Sequence, residues 1–284
     1  PFSRNGMKFY NTDGEITKLD ESNILNAEVQ LPDGLDENVK NIQMPAINPA
    51  ALEAYRQRYT ELFPLDMLRG KRIGIYEHSS VARDVLKDLI AYFGAEVISL
   101  ERTDYFVPID TEAVSEIDKE KAKDWAKKYK LDAIISTDGD GDRPLISDEN
   151  GQWLRGDVLG VLCVNYLGAT HVAAPINVNS MLEASSDSQL ICSRTRIGSP
   201  YVIAAMQDLA KEPKKEFLVS KQKPSASSSE AAAIKIVGYE ANGGFMVGSD
   251  IELNGKTLHA LPTRDAVLPI LIVLSLSHQS SVPI

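Results

Sequence analysis

A chain of 284 residues with 43% hydrophobic and 25% charged side chains has room for about two domains, each with its own core. A net charge of −10 without any basic stripe excludes a nucleic-acid backbone as partner. The most apolar tract, Ala266 to Ser277, is too short to span a bilayer and reads as a buried helix with Pro269 in its first turn, so no membrane partner is expected. Cys163 and Cys192 lie in apolar segments and read as buried free thiols of a reducing, cytoplasmic setting.

The chain opens on Pro1 with the strand-like or turn-like "PFSRNGMKFY" and shows no secretory signal. From Lys71 a regular alternation begins. "KRIGIY" is a buried strand, and "SVARDVLKDLIAYFG" sets Val81, Val85, Leu86, Leu89 and Phe93 on one helical face, with Ser79 and Ser80 as N-cap candidates. "AEVISL" is the next strand, Glu116 to Tyr129 a helix, and "LDAIIST" a third strand. "RPLIS" and "QWLR" around the turn "DENG" suggest a hairpin, followed by a helix from Asp157 to Leu167.

The rhythm then repeats without a fixed-period sequence repeat. "HVAAPI", "SQLIC" and "IKIVGY" read as strands, Ser180 to Ala184 and "SPYVIAAMQDLA" as helices, and the apolar terminal helix closes the series. The expectation is an α/β protein with two similar mixed domains. The low-complexity run 212–233 reads as a long mobile insertion.

The stretch "LDAIISTDGDGDRPLISDE" places Asp138, Asp140 and Asp142 at alternate positions directly after a strand. Three carboxylates so close oppose one another's ionisation, and a hard divalent cation removes the conflict. Glycines at 139 and 141 let the backbone curl so that the side chains converge. Glu149 would complete the ligand spacing of an EF-hand, but Arg143 stands where that loop needs glycine, Pro144 follows it, and a strand rather than a helix precedes. An Asp cluster without a cation would be a solvated turn. The four histidines show no metal spacing.

"TDGDGDR" at 137–143, "NGMKFY" at 5–10 and "GYEANGGF" at 238–245 occur in the order and rough spacing of the α-D-phosphohexomutases, and the chain resembles that family over nearly its whole length. The resemblance implies transfer of a phosphoryl group between the 1- and 6-positions of glucose or mannose phosphate, through a phosphoserine enzyme and a bisphosphorylated intermediate. It implies that Asp138, Asp140 and Asp142 hold Mg²⁺ and that Arg143 stands beside the phosphate. It makes Lys8 a general acid or base, which requires a lowered pKa; alone, Lys8 reads as a solvated strand lysine. Asn5 and Gly6 look like turn residues aiming that strand.

Glu240 and Asn242 resemble the family's sugar loop, usually Gly-Glu-x-Ser-Gly-His. Asn242 replaces the serine and Gly244 the histidine, so this copy must differ there. As plain sequence, "ANGG" is a hairpin turn. Arg196 and Ser199, in "RTRIGSP", match a substrate-approaching loop, although Ser199 reads equally well as a helix cap. The resemblance implies the end of a first domain at 1–42, a second domain at 43–167 with the metal loop, and a third at 168–284 with the sugar loop. It puts the phosphoserine three residues ahead of Pro1 and a phosphate-gripping fourth domain beyond the terminal helix. Residues 1–284 alone are thus expected to be catalytically silent. A non-catalytic metal-binding or regulatory protein on the same scaffold is the alternative.

Overall fold

The computed structural model describes residues 8–12, 14–30, 45–184, 190–211 and 234–284. Asn5, Gly6, the boundary at 42 and the insertion at 212–233 lie outside these residues. A short hairpin of β1 (Tyr10–Asn11) and β2 (Gly14–Glu15) leads into α1 (Lys18–Leu25), where Thr17 and Asp20 form a reciprocal capping box, and then α2 (Ala50–Thr60).

The first α/β unit runs through β3 (Arg72–His78), α3 (Arg83–Tyr92), β4 (Glu96–Arg102), α4 (Glu116–Tyr129), β5 (Ala133–Thr137) and β6 (Pro144–Ser147). The second follows through α5 (Gly156–Leu167), β7 (His171–Pro175), α6 (Met181–Ala184), β8 (Ile191–Thr195), α7 (Ser199–Lys211), β9 (Ile236–Tyr239) and β10 (Phe245–Val247). The small hairpin β11 (Ile251–Leu253) and β12 (Lys256–Leu258), then β13 (Leu261–Asp265) and α8 (Val267–Ser280), complete the chain.

The two sheets repeat one plan. The first has the order β4-β3-β5-β6 and the second β13-β10-β9-β7-β8. In each, three parallel strands lie second-first-third, and a fourth turns back antiparallel beside the third. β13 extends the second sheet antiparallel to β10. Parallel strands buried on both faces read as apolar runs, which is why "AIIST" and "HVAAP" carry almost no alternation.

A continuous core joins the two units, with Ile73, Ile135 and Ile146 of the first sheet and Val172, Tyr239 and Phe245 of the second in one cluster with Leu159 of α5 and Leu268 of α8. Every residue of α8 from Val267 to Ser275 is buried, so the helix is apolar all round rather than amphipathic. Each such leucine or isoleucine contributes about 1.5–3 kcal/mol of transfer free energy. α4 covers a separate cluster around Tyr76 and Ile134, and α7 another around Val202 and Met206.

Several readings from sequence need correction. "QWLR" does not form a strand: a single bridge joins Ser147 to Trp153, because the Asp148 side chain accepts from the Asn150 and Gln152 backbone and closes a tight turn instead. β10 to β13 are short and went unread. Val81 precedes α3 and is exposed; Ser80 Oγ accepts from the Ala82 N–H while Ser79 Oγ accepts from Val107, so neither stands at the N-cap, which is Ala82. Cys163 and Cys192 are free and buried as expected. Among the described residues no helix is long and apolar enough to cross a membrane.

Candidate active site

The turn between β5 and β6 carries the three aspartates. Asp138 is buried and its Oδ1 accepts from the backbone N–H of Asp142 and of Arg143, each at 3.1 Å, so the first carboxylate holds the shape of its own loop. Gly141 adopts a φ of +82°, the left-handed conformation the turn needs and glycine takes without strain. The loop is braced from beneath: His78 Nε2 lies 2.9 Å from the Thr137 carbonyl, Ser80 Oγ 2.6 Å from Thr137 Oγ1, and the Val81 N–H donates to the Gly139 carbonyl.

One oxygen from each of Asp138, Asp140 and Asp142 lies within 4.8 Å of the others. Oxygens bound to one Mg²⁺ stand roughly 3 Å apart when cis and about 4 Å when trans, so the three carboxylates would draw closer around an ion. Asp142 Oδ1 is buried without a hydrogen-bond donor, which leaves it suited to a cation. The donor set, all carboxylate oxygen, fits Mg²⁺. Glu149 sits apart, exposed in the turn after β6, so no EF-hand is formed.

Lys8 reaches this cluster from the N-terminal segment, with Nζ 2.5 Å from Asp140 Oδ2 and 2.6 Å from Asp142 Oδ2. Burial alone would lower its pKa, but the two carboxylates outweigh it and the pKa is raised. Burial pushes the Asp138 carboxyl up to about 7, helped by Asp140 and Asp142. For Asp140, burial pulls upward but the Lys8 contact prevails and holds it down, at about 2. The Arg143 guanidinium is 3.7 Å from Asp138 Oδ2 and 3.8 Å from Asp142 Oδ1.

The turn between β9 and β10 occupies the same position in the second sheet and presents Glu240. It is closed by the Gly243 N–H donating to the Glu240 carbonyl and by Asn242 Oδ1 accepting from the Gly244 N–H, so the Asn242 side chain shapes the turn. Thr111 donates to the Asn242 carbonyl from the first unit. The loop rests on the start of α5: a Cβ at Gly156 would lie 2.3 Å from the Gly243 nitrogen. Glu240 is buried, and that burial raises its pKa against the opposing pull of Arg264 and Arg143.

Arg264 went unnoticed in the sequence. From the end of β13 it places Nη2 2.8 Å from Asp142 Oδ2 and Nη1 3.5 Å from Glu240 Oε2, so one guanidinium spans both loops. A lone arginine in "PTRDAV" carries no local motif; only pairing of β13 with β10 brings it here.

Lys8, Asp138, Asp140, Asp142, Arg143 and Glu240 therefore share one site, with Asn242 in its wall. Arg196 and Ser199 make contacts of their own. Arg196 is exposed, its guanidinium 5.9 Å from the Tyr201 ring centre. Ser199 opens α7 as its first residue and is buried; its hydroxyl donates to Glu15 Oε2 at 3.0 Å instead of capping the helix. Glu15 in turn accepts from Thr263, beside Arg264, which ties the N-terminal hairpin to β13.

The scaffold thus sets a cluster of three carboxylates and a second, Glu-bearing loop at equivalent turns of two sheets built on one plan. Residues 155–284 match the family model described as phosphoglucomutase/phosphomannomutase, alpha/beta/alpha domain III. The chain is 49% identical over 282 residues to a phosphomannomutase of Salmonella muenchen, covering 99% of this chain and 53% of that protein. It is 42% identical over 285 residues to a phosphomannomutase of Sinorhizobium fredii, covering 100% of this chain and 56% of that protein. A solved phosphoglucomutase/phosphomannomutase family protein of Burkholderia thailandensis shares the fold with a TM-score of 0.56 at 15% identity, over 81% of this chain and 44% of that one. The chain belongs to the phosphohexomutase family, and spans about half the length of the curated relatives it matches.

Proposed function

We propose that the chain forms the cation and sugar loops of a cytoplasmic phosphohexomutase that moves a phosphoryl group between the 1- and 6-positions of glucose or mannose phosphate. The observation that carries this reading is the convergence of the Asp138–Asp140–Asp142 loop and the Glu240 loop on one site. In this reading residues 43–167 are the second domain and 168–284 the third, following the end of a first domain at 1–42. A phosphoserine, which the resemblance puts ahead of Pro1, is the phosphoryl donor.

Asp138, Asp140 and Asp142 would hold Mg²⁺. When bound, the ion neutralises the charge that spreads over a transferring phosphoryl group. Arg143 supports the same charge with a planar, permanently ionised fork. Glu240 accepts hydrogen bonds from adjacent sugar hydroxyls and orients the ring. Lys8, kept protonated by Asp140 and Asp142 rather than lowered in pKa as a general base needs, is placed to donate a proton at the sugar hydroxyl. Arg196 and Ser199 enter the reading only as the edge of the substrate approach.

The test is conversion of mannose 1-phosphate or glucose 1-phosphate to the 6-phosphate, with Mg²⁺ and catalytic glucose 1,6-bisphosphate. The full-length protein carrying this chain should turn over, and residues 1–284 alone should not. Asp140→Asn should abolish turnover, and Glu240→Ala should lower kcat/KM by about an order of magnitude or more without a large change in melting temperature. Wild-type activity in both variants would sink the assignment.

A further inference from the structure

Arg264 is the most enclosed cation at the site, with 11% of its side chain exposed. Its guanidinium bonds Asp142 with one nitrogen and faces Glu240 with another, at 2.8 and 3.5 Å. Its aliphatic stem lies against Gly244. A Cβ there would come 3.0 Å from Arg264 Cδ and 3.1 Å from its Cγ, closer than ordinary carbon contacts. Glycine at 244 and arginine at 264 are thus complementary: the missing side chain makes room for the stem.

The backbone at Arg264 is fixed from the other side. Asp265 is buried and accepts from the Tyr55 hydroxyl at 2.7 Å, from the Tyr59 hydroxyl, and from the Val267 N–H at 2.9 Å. Both tyrosines come from α2, and Tyr59 is fully buried. A carboxylate with three donors holds one orientation, and Arg264, its neighbour, inherits that placement.

We propose that Arg264, admitted by Gly244 and seated by Asp265 with Tyr55 and Tyr59, is the positioning residue that couples the cation loop to the sugar loop. This rests on the functional reading above. The guanidinium partly neutralises Asp142 and so opposes a divalent cation at the aspartates. It also holds Glu240 turned into the site, ready to accept from ligand hydroxyls. Removing it therefore has opposite consequences at the two loops, and any linkage between the ligands is reciprocal.

The test measures MgCl₂ binding and mannose 1-phosphate binding separately by calorimetry in the full-length protein and two variants. Arg264→Gln removes the charge: Mg²⁺ should bind about three- to tenfold tighter and mannose 1-phosphate about tenfold weaker. Arg264→Lys keeps the charge but cannot fork between two carboxylates: Mg²⁺ affinity should stay near wild type while mannose 1-phosphate weakens. General loosening of the fold would weaken both ligands together, so changes of the same sign overturn the proposal, as do changes in neither. Failure of Arg264→Gln to fold beside an Arg264→Lys of wild-type behaviour would make the residue a fold determinant and also overturn it. A wild-type protein that binds neither ligand removes the functional reading and this proposal with it; a wild type that binds both while the variants behave alike removes the coupling alone.

Discussion

The seating of the β9–β10 loop on α5 can be probed at one position. An alanine Cβ at Gly156 would stand 2.3 Å from the Gly243 nitrogen, 2.4 Å from the Asn242 carbonyl carbon and 2.5 Å from the Ala241 oxygen. All three are backbone atoms, so no rotamer change relieves the clash. Ordinary contacts of this kind fall near 3.5 Å, and the loop would have to retreat by about 1 Å. Overpacking of that size costs about 1–3 kcal/mol. For a chain of this length that is roughly a 2–10 °C fall in melting temperature. A displacement of about 1 Å in a positioning element costs up to roughly 100-fold at the site. Gly156→Ala should therefore lower the melting temperature in a thermal scan and weaken hexose-phosphate binding in calorimetry. An alanine variant with wild-type melting and wild-type hexose-phosphate affinity would refute the close approach of the two backbones.

Two further outcomes follow from the electrostatics and capping. Burial and its acidic neighbours raise Asp138 to about 7, from 3.8 in the unfolded chain, so without a cation the folded state keeps a proton that the unfolded state releases. That contribution is fully present below pH 3.8 and is lost as pH rises to about 7, up to a few kcal/mol in all. Chelator-treated protein should therefore melt lower at pH 8 than at pH 5, and Asp138→Asn should flatten the slope; an unchanged slope would dismiss this origin. Ser115 Oγ accepts from the Asp118 N–H at 3.1 Å to cap α4, so Ser115→Ala should cost about 1 kcal/mol in denaturant unfolding and leave Mg²⁺ affinity as it was.

Much of the fold was legible because its signals are local. The helix expected over Glu116 to Tyr129 is α4 with the same bounds, since a serine cap and a left-handed Lys130 mark both its ends. The buried parallel strands announced themselves as short apolar runs. β10 to β13 escaped because they are three to five residues long, and their partners lie in the sheet or in the adjoining hairpin rather than in their own sequence pattern. "QWLR" has the alternation of a strand, yet the Asp148 turn leaves it only one bridge.

The site divides along the same line. Alternating aspartates at a strand's end are a dense local signal, and the structure brings their oxygens together as the spacing implies. Arg264 is a single residue whose meaning depends on a strand pairing, so nothing in its neighbourhood could point to it. What unites the two cases is topology. The β5–β6 turn and the β9–β10 turn are the same turn in a repeated plan, each placed where the third parallel strand gives way to an antiparallel fourth. Two copies of one scaffold, joined through α5 and α8, therefore present equivalent loops to one another. Once they meet, their carboxylates crowd one another, and the protein answers with positive charge of its own: Lys8 and Arg143 at the aspartates, and Arg264 between Asp142 and Glu240.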